Sequence, residues 1–189
     1  MKRAAGLPLA LAAAPAWAHD LPQTFGESLA FLPGPFLLPL LSLGLMLAVS
    51  NRIRLLAVSI LAIPLGFLAA PWIGINADLL ALGAGLACAL LSTTGLPLAG
   101  PGHAVLGLLT AFLVGAAMTH GTGWTAMEPA ALLGLGLGAA GAMTLVAALG
   151  LALVARWPVP ARIGLRIAAS WLAAIGTLAL SLTFTGPVP

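Results

Sequence analysis

The sequence predicts an all-α, polytopic integral membrane protein: a cleavable signal peptide, then a bundle of six transmembrane helices. Three observations predict it. Only 6% of the residues are charged and 61% are hydrophobic, whereas a soluble domain carries about 25% charged residues, so a surface this poor in charge belongs in lipid. The apolar residues gather into runs close to the ~20 residues that carry a helix across a bilayer. Between the runs stand short breaks that hold the arginines and the acids.

The chain opens with a signal-peptide pattern over residues 1–18. Lys2 and Arg3 form a basic n-region, Gly6 to Ala14 a short apolar h-region, and Ala16-Trp17-Ala18 an A-x-A cleavage site. Cleavage after Ala18 makes His19 the first residue, followed by Asp20. A free α-amine and the imidazole of one residue can chelate a divalent ion, and the Asp20 carboxylate can add an oxygen, so both residues are candidate metal ligands. Residues 19–189 then form a single six-helix membrane domain.

The first span is expected over Phe31–Ser50, ended by Asn51-Arg52-Ile53-Arg54. The second covers Leu55–Ile73 with Pro64 as an internal kink, and Gly74 to Asp78 form a turn. The third covers Leu79–Thr93, followed by a Gly/Pro-rich loop from Thr94 to Gly102. The fourth covers His103–Thr119, the fifth Ala130–Ala155 and the sixth Arg162–Phe184. Arg52 and Arg54 follow the first span, and Arg156, Arg162 and Arg166 separate the fifth from the sixth. With six spans these breaks fall on one side, which the positive-inside rule makes cytoplasmic. Localisation in a bacterial inner membrane follows, with both mature termini periplasmic. His19, Asp20, Glu27, Asp78, His120 and Glu128 then gather at the outer face. Trp72 and Trp124 suit the interfacial aromatic belt. In the fifth span Gly134 and Gly138 make a G-x-x-x-G pattern, which suits close helix packing within the chain and also contact in a homo-oligomer.

Composition and motif exclude several functions. The formal charge is +3, but the basic residues are scattered and form no nucleic-acid stripe. The single Cys88 excludes an internal disulfide. No nucleophile has a base at recognisable spacing, and no phosphate-binding loop is present, so the chain is read as no enzyme and as carrying no permanently bound cofactor.

The polar residues that remain centre on Ala117–Pro129, the stretch A-M-T-H-G-T-G-W-T-A-M-E-P. Ionisable groups near a bilayer are costly and mark functional sites. His120 is the first candidate metal ligand, with glycines at 121 and 123 beside it, and Asp78 and Glu128 are its candidate partners. Each of these acids also suits the first turn of a helix, where the dipole favours a carboxylate. His103, at the opposite end of the fourth span, is read as structural.

In layout the chain resembles the HupE/UreJ family of bacterial nickel/cobalt permeases: signal peptide, histidine just after cleavage, six spans. The family's H-P-x-x-G-x-D-H aligns with Pro35-Phe36-Leu37-Leu38-Pro39-Leu40-Leu41-Ser42, where its histidines and aspartate fall on Pro35, Ser42 and Leu41. Met46-Leu47-Ala48-Val49 fits the family's continuation. Its F-H-G-x-A-H-G-x-E aligns with Thr119-His120-Gly121-Thr122-Gly123-Trp124-Thr125, which keeps the first histidine and its glycine and puts Trp124 at the second. Met127 or Glu128 falls near the family's glutamate, and Asp78 stands where the family opens its third span on an acid. The resemblance implies a secondary-type permease for nickel or cobalt with an altered ion site. The lost first-span ligands point to the alternative, a non-transporting membrane accessory or scaffold subunit of a larger complex. Either way the expected surroundings are lipid, with a divalent ion or a membrane protein as partner.

Overall fold

The computed structural model describes residues 24–30, 36–73, 76–95, 101–120 and 127–185. Among them the chain is all helix: α1 (Phe25–Ala30), α2 (Leu37–Val49), α3 (Arg54–Ala69) running into a 3-10 turn (Ala70–Trp72), α4 (Ala77–Thr94), α5 (Gly102–Met118), α6 (Pro129–Arg156) and α7 (Pro158–Thr185). Four helical stretches are long and apolar enough to cross a membrane: Arg54–Trp72, Ala77–Thr94, Pro129–Arg156 and Pro158–Phe184. Two more helices, α2 and α5, are apolar but shorter. The expected signal peptide lies outside the described residues, as do residues 31–35 of the expected first span.

Local chemistry explains the helix ends. At the end of α4, Gly95 takes a left-handed φ of 63° and returns its N–H to the Leu91 carbonyl, a conformation glycine reaches without Cβ strain. Pro129 opens α6 at its first turn, where a missing N–H removes nothing from the helix. Between α6 and α7 only Trp157 leaves helical geometry. Pro158 causes the break: it disfavours the α conformation in the residue before it, and then begins the next helix with a suitable φ. The break expected between Ala155 and Arg162 is therefore narrower, and α7 starts earlier than Arg162. Pro64 lies inside α3, which continues through it; such interruptions are tolerated where neighbouring helices surround the freed carbonyl.

Small residues set the helix spacing. Where α3 crosses α5, a Cβ added to Gly66 would overlap the Phe112 carbonyl oxygen, and one added to Gly115 would overlap that of Ile63. Gly44 of α2 sits against Met143 and Val146 of α6, and Gly150 of α6 against Ala48 of α2. Lipid supplies no hydrophobic drive between helices, so close backbone approach and dispersion must do that work. The G-x-x-x-G of α6 is used within the chain at its first glycine, since a Cβ on Gly134 would meet the Phe25 carbonyl oxygen at 2.7 Å and Ser28 at 2.7 Å. Helix α1, which the sequence did not suggest, lies there. Thr24 and Glu27 cap it reciprocally: the Thr24 N–H donates to Glu27 Oε2 and the Glu27 N–H to Thr24 Oγ1, each at 3.3 Å.

Those contacts fix directions. Gly44 and Ala48 meet Met143 and Gly150 in ascending order, so α2 and α6 run parallel; Gly95 meets Arg166 while Leu86 meets Gly176, so α4 and α7 run antiparallel. Helix α2 is the hub, touching α4, α5, α6 and α7. Its Leu40, Leu43, Met46 and Leu47 are fully buried with Ile63, Val114, Leu135 and Met143. Helices α6 and α7 present the opposite picture outward. Leu133, Leu137, Leu145 and Leu149 of α6, in register around Gly141, and Val159, Ile163, Ile167 and Trp171 of α7 are exposed at spacings of four or eight residues, an apolar face suited to acyl chains.

Candidate functional site

The polar end of the bundle is built from helix termini. Asn76 precedes α4 without a side-chain cap, and Asp78 stands in the first turn, where unsatisfied N–H groups and the dipole favour a carboxylate. Ala77 beside it is fully buried, while Asp78 itself is exposed. Helix α5 ends at Met118, and Thr119 and His120 turn the chain, their N–H groups donating to the Ala116 and Ala117 carbonyls. Thr119 is wholly buried and His120 exposed. The start of α4 and the end of α5 therefore lie side by side, and the His120 imidazole acts electrostatically on the Asp78 carboxylate. Of the five candidate ligands, these are the two that the structure brings together.

The remaining candidates are placed differently. Glu128 is the exposed N-cap residue of α6; its carbonyl accepts from the Ala131 and Leu132 N–H groups, and its side chain makes no capping bond. The parallel run of α2 and α6 puts it at the end opposite the arginines. His19 and Asp20 lie outside the described residues, as do the glycines at 121 and 123 and the tryptophan at 124. Among the described residues no group of three or more His, Cys, Asp or Glu side chains is close enough to hold a metal ion. His103 sits in the first turn of α5 and is only 6% exposed.

A second polar group lies in the middle of the bundle, and sequence reasoning missed it. Thr110 of α5 donates to the Leu106 carbonyl at 2.8 Å, and its oxygen lies 3.3 Å from Cys88 Sγ of α4. With the Thr110 proton used on its own helix, the Cys88 thiol is the donor between them. Ser92, one turn on, donates to the Cys88 carbonyl. Ser59 of α3 is 1% exposed, and its hydroxyl has no hydrogen-bond partner among the described residues; it faces Gly107 of α5, where a Cβ would stand 3.5 Å from Ser59 Oγ. These residues come from segments far apart in the chain and share no spacing, so no motif could have announced them. The Cys88–Thr110 pair is self-satisfied and reads as packing.

Charge is segregated end to end. Asp78, His120 and Glu128 occupy one end, and Arg52, Arg54, Arg156, Arg162 and Arg166 the other. The short helix α1, with Glu27, joins the acidic end through its seat on Gly134. Compared with family models, with curated proteins and with solved structures, the chain finds no match in any of the three.

Proposed function

We propose that this chain is an inner-membrane permease for a divalent transition metal of the nickel or cobalt class, built from six spans, α2 to α7, behind a cleaved signal peptide. The observation that carries the reading is the placement of Asp78, at the start of α4, and His120, just past the end of α5, at the end of the bundle away from the arginines, where the Cys88–Thr110 contact sets these two helices side by side. An imidazole and a carboxylate are the donors that borderline divalent ions accept. Two such groups at an exposed helix junction suit capture of an ion from solution. Glu128 and the His19–Asp20 terminus supply the further donors at the same end. With no ATP-binding motif in the sequence, the driving force is a gradient or a partner protein.

The six-span count is supported by the two short apolar helices. Helix α2 has 13 residues, about 20 Å at 1.5 Å per residue, shorter than the ~30 Å hydrocarbon core. It is also the hub, buried among other helices, so its length need not match the lipid. In the sequence the apolar run begins earlier, at Phe31. The arginine-rich end faces the cytoplasm in this reading.

Uptake of radiolabelled nickel or cobalt, compared at equal membrane abundance, tests the permease. His120→Ala abolishes uptake, Asp78→Asn and Glu128→Gln weaken it, and His103→Ala leaves it intact. Uptake by His120→Ala at the wild-type rate sinks the metal reading. Intact-mass measurement of purified protein checks the start of the mature chain, which should be His19; a dominant species retaining Met1 removes both the cleavage and the chelating terminus.

A second reading, a non-transporting scaffold subunit of a membrane complex, draws support from two observations. The helices meet at glycine backbones with little room between them, and no three-donor group occurs among the described residues. It predicts wild-type uptake no higher than that of membranes lacking the protein, together with a stoichiometric membrane partner on purification.

A further inference from the structure

The arginine end of the bundle has a feature that topology alone does not require. No acid lies on the described segments that form this end: Asn51–Arg54, Gly95, Pro101 and Arg156–Arg166 contain none. All five arginines there are exposed. The acids among the described residues, Glu27, Asp78 and Glu128, lie at the other end, so in a bilayer the anionic groups that such a surface meets are lipid phosphates.

Geometry gathers four of them. The inner ends of α2, α4 and α6 and the first turns of α7 converge on one small apolar cluster, in which Leu45 and Ala48 of α2 pack on Leu165 and Ala169 of α7. Gly150 of α6 seats Ala48 from the other side, with Leu165 in contact. Arg52 follows Ala48 by four residues, Arg166 follows Leu165 directly, Arg162 precedes it by one turn, and Arg156 closes α6. The Arg166 guanidinium lies over Gly95 at the C-terminus of α4, where carbonyls left unpaired at the helix end favour a cation. This fixes Arg166 in place and leaves Arg52, Arg156 and Arg162 around it facing out.

Depth is set by helix length. Helices α6 and α7 each have 28 residues, about 42 Å, roughly 12 Å more than the hydrocarbon core. No charged residue stands on α7 from Ile167 to Phe184, so Arg166 marks the inner edge of the core and Arg162 lies a turn beyond it. Arg156 and Arg162, joined through the single-residue break at the exposed Trp157, sit at headgroup level. Exposed Val159 and Ile163 alternate with the charges on the same turns, so a phosphate and the start of an acyl chain can be met together.

We propose that this end is a binding site for the headgroup of an anionic phospholipid, in which Arg156 and Arg162, with Arg52 beside them, hold the phosphodiester between the inner ends of α6, α7 and α2. The site is independent of metal transport and stands or falls separately from it.

The test uses full-length protein in nanodiscs of equal parts phosphatidylglycerol and phosphatidylcholine, with bound lipid identified by native mass spectrometry. Wild-type protein should retain the anionic lipid over the zwitterionic one by about tenfold or more, given roughly fivefold for each arginine near the headgroups. R156Q/R162Q should lose most of that preference, and R156K/R162K should keep it. Both leaflets have one composition, so an inverted orientation cannot imitate the result, and an unchanged circular dichroism spectrum shows that the variants are folded. Equal retention of both lipids by the wild type overturns the proposal, as does an unchanged preference in R156Q/R162Q. Displacement of the lipid by millimolar inorganic phosphate would also overturn it, by showing a free-anion site.

Discussion

At the residue scale, the smallest side chains carry the most specific demands. Gly66 and Gly115 lie where α3 and α5 cross, and each faces a carbonyl of the other helix. A backbone carbonyl cannot rotate away as a side chain can, so one added methyl must push the helices apart. Gly66→Ala and Gly115→Ala should each destabilise by about 1–3 kcal/mol, the range for overpacking, read as a lower thermal midpoint in detergent. Gly83 and Gly141 have open space where a Cβ would go; alanine there should be neutral or stabilising by up to about 1 kcal/mol, the helix-propensity gain. Ser59 gives the converse case. Its buried hydroxyl has no partner, so removing it removes a desolvated group and breaks no bond. Ser59→Ala should therefore match or exceed the wild type in the same measurement. None of this was legible in the sequence. A glycine facing a carbonyl and a glycine facing lipid look alike in a helix, and G-x-x-x-G drew attention to α6 and away from the α3–α5 crossing.

At the element scale, the long apolar helices were legible because hydrophobic length is a property of contiguous sequence. The ends expected for the third, fourth and fifth spans lie within a few residues of α4, α5 and α6. Proline and glycine marked their ends through local effects on φ and ψ. Helix α1 was not legible: its 6 residues, FGESLA, carry too short a period to register, and its seat is supplied by Gly134, more than a hundred residues away. That seat gives a test. Gly134→Val places bulk against the Phe25 carbonyl and Ser28, while the rest of α6 keeps its contacts with α2. The amides of α1 should then exchange with solvent at least tenfold faster, and those of α2 and α6 should keep their protection. Loss of protection throughout would mean that α1 is an integral part of the bundle. For the candidate site, the sequence supplied the residue types, and the structure placed His120 and Asp78 at neighbouring helix ends, because only the fold brings the end of α5 beside the start of α4.

At the scale of the whole molecule, the distribution of charge has consequences for insertion. Each arginine dragged to the bilayer centre costs about 2.5–3.5 kcal/mol on the insertion scale, so five at one end resist translocation strongly. The acids oppose this little, since carboxylates contribute weakly to orientation. The end bearing Arg52, Arg54, Arg156, Arg162 and Arg166 should therefore stay cytoplasmic, and the His120–Asp78 end should be delivered outside. Helix α7 begins among the arginines, and its apolar wall from Ile167 to Phe184 is long enough to leave the membrane on the far side. A reporter fused after Pro189 should then be periplasmic: an alkaline phosphatase fusion active, a green-fluorescent-protein fusion dark. Pairing the two reporters matters, because an unfolded fusion silences both and only opposite signals assign a side. A fusion after Thr94, at the inner end of α4, should give the reverse pattern, and this second site separates inversion of the whole bundle from loss of the α5 crossing. Inversion exchanges the results at both sites. If α5 failed to cross, one site would change and the other would hold, and the arginines of the α2–α3 turn would then lie on the opposite side from those of α7. That outcome would place the two groups of arginines on different faces and end the case for a shared lipid site along with the six-span arrangement.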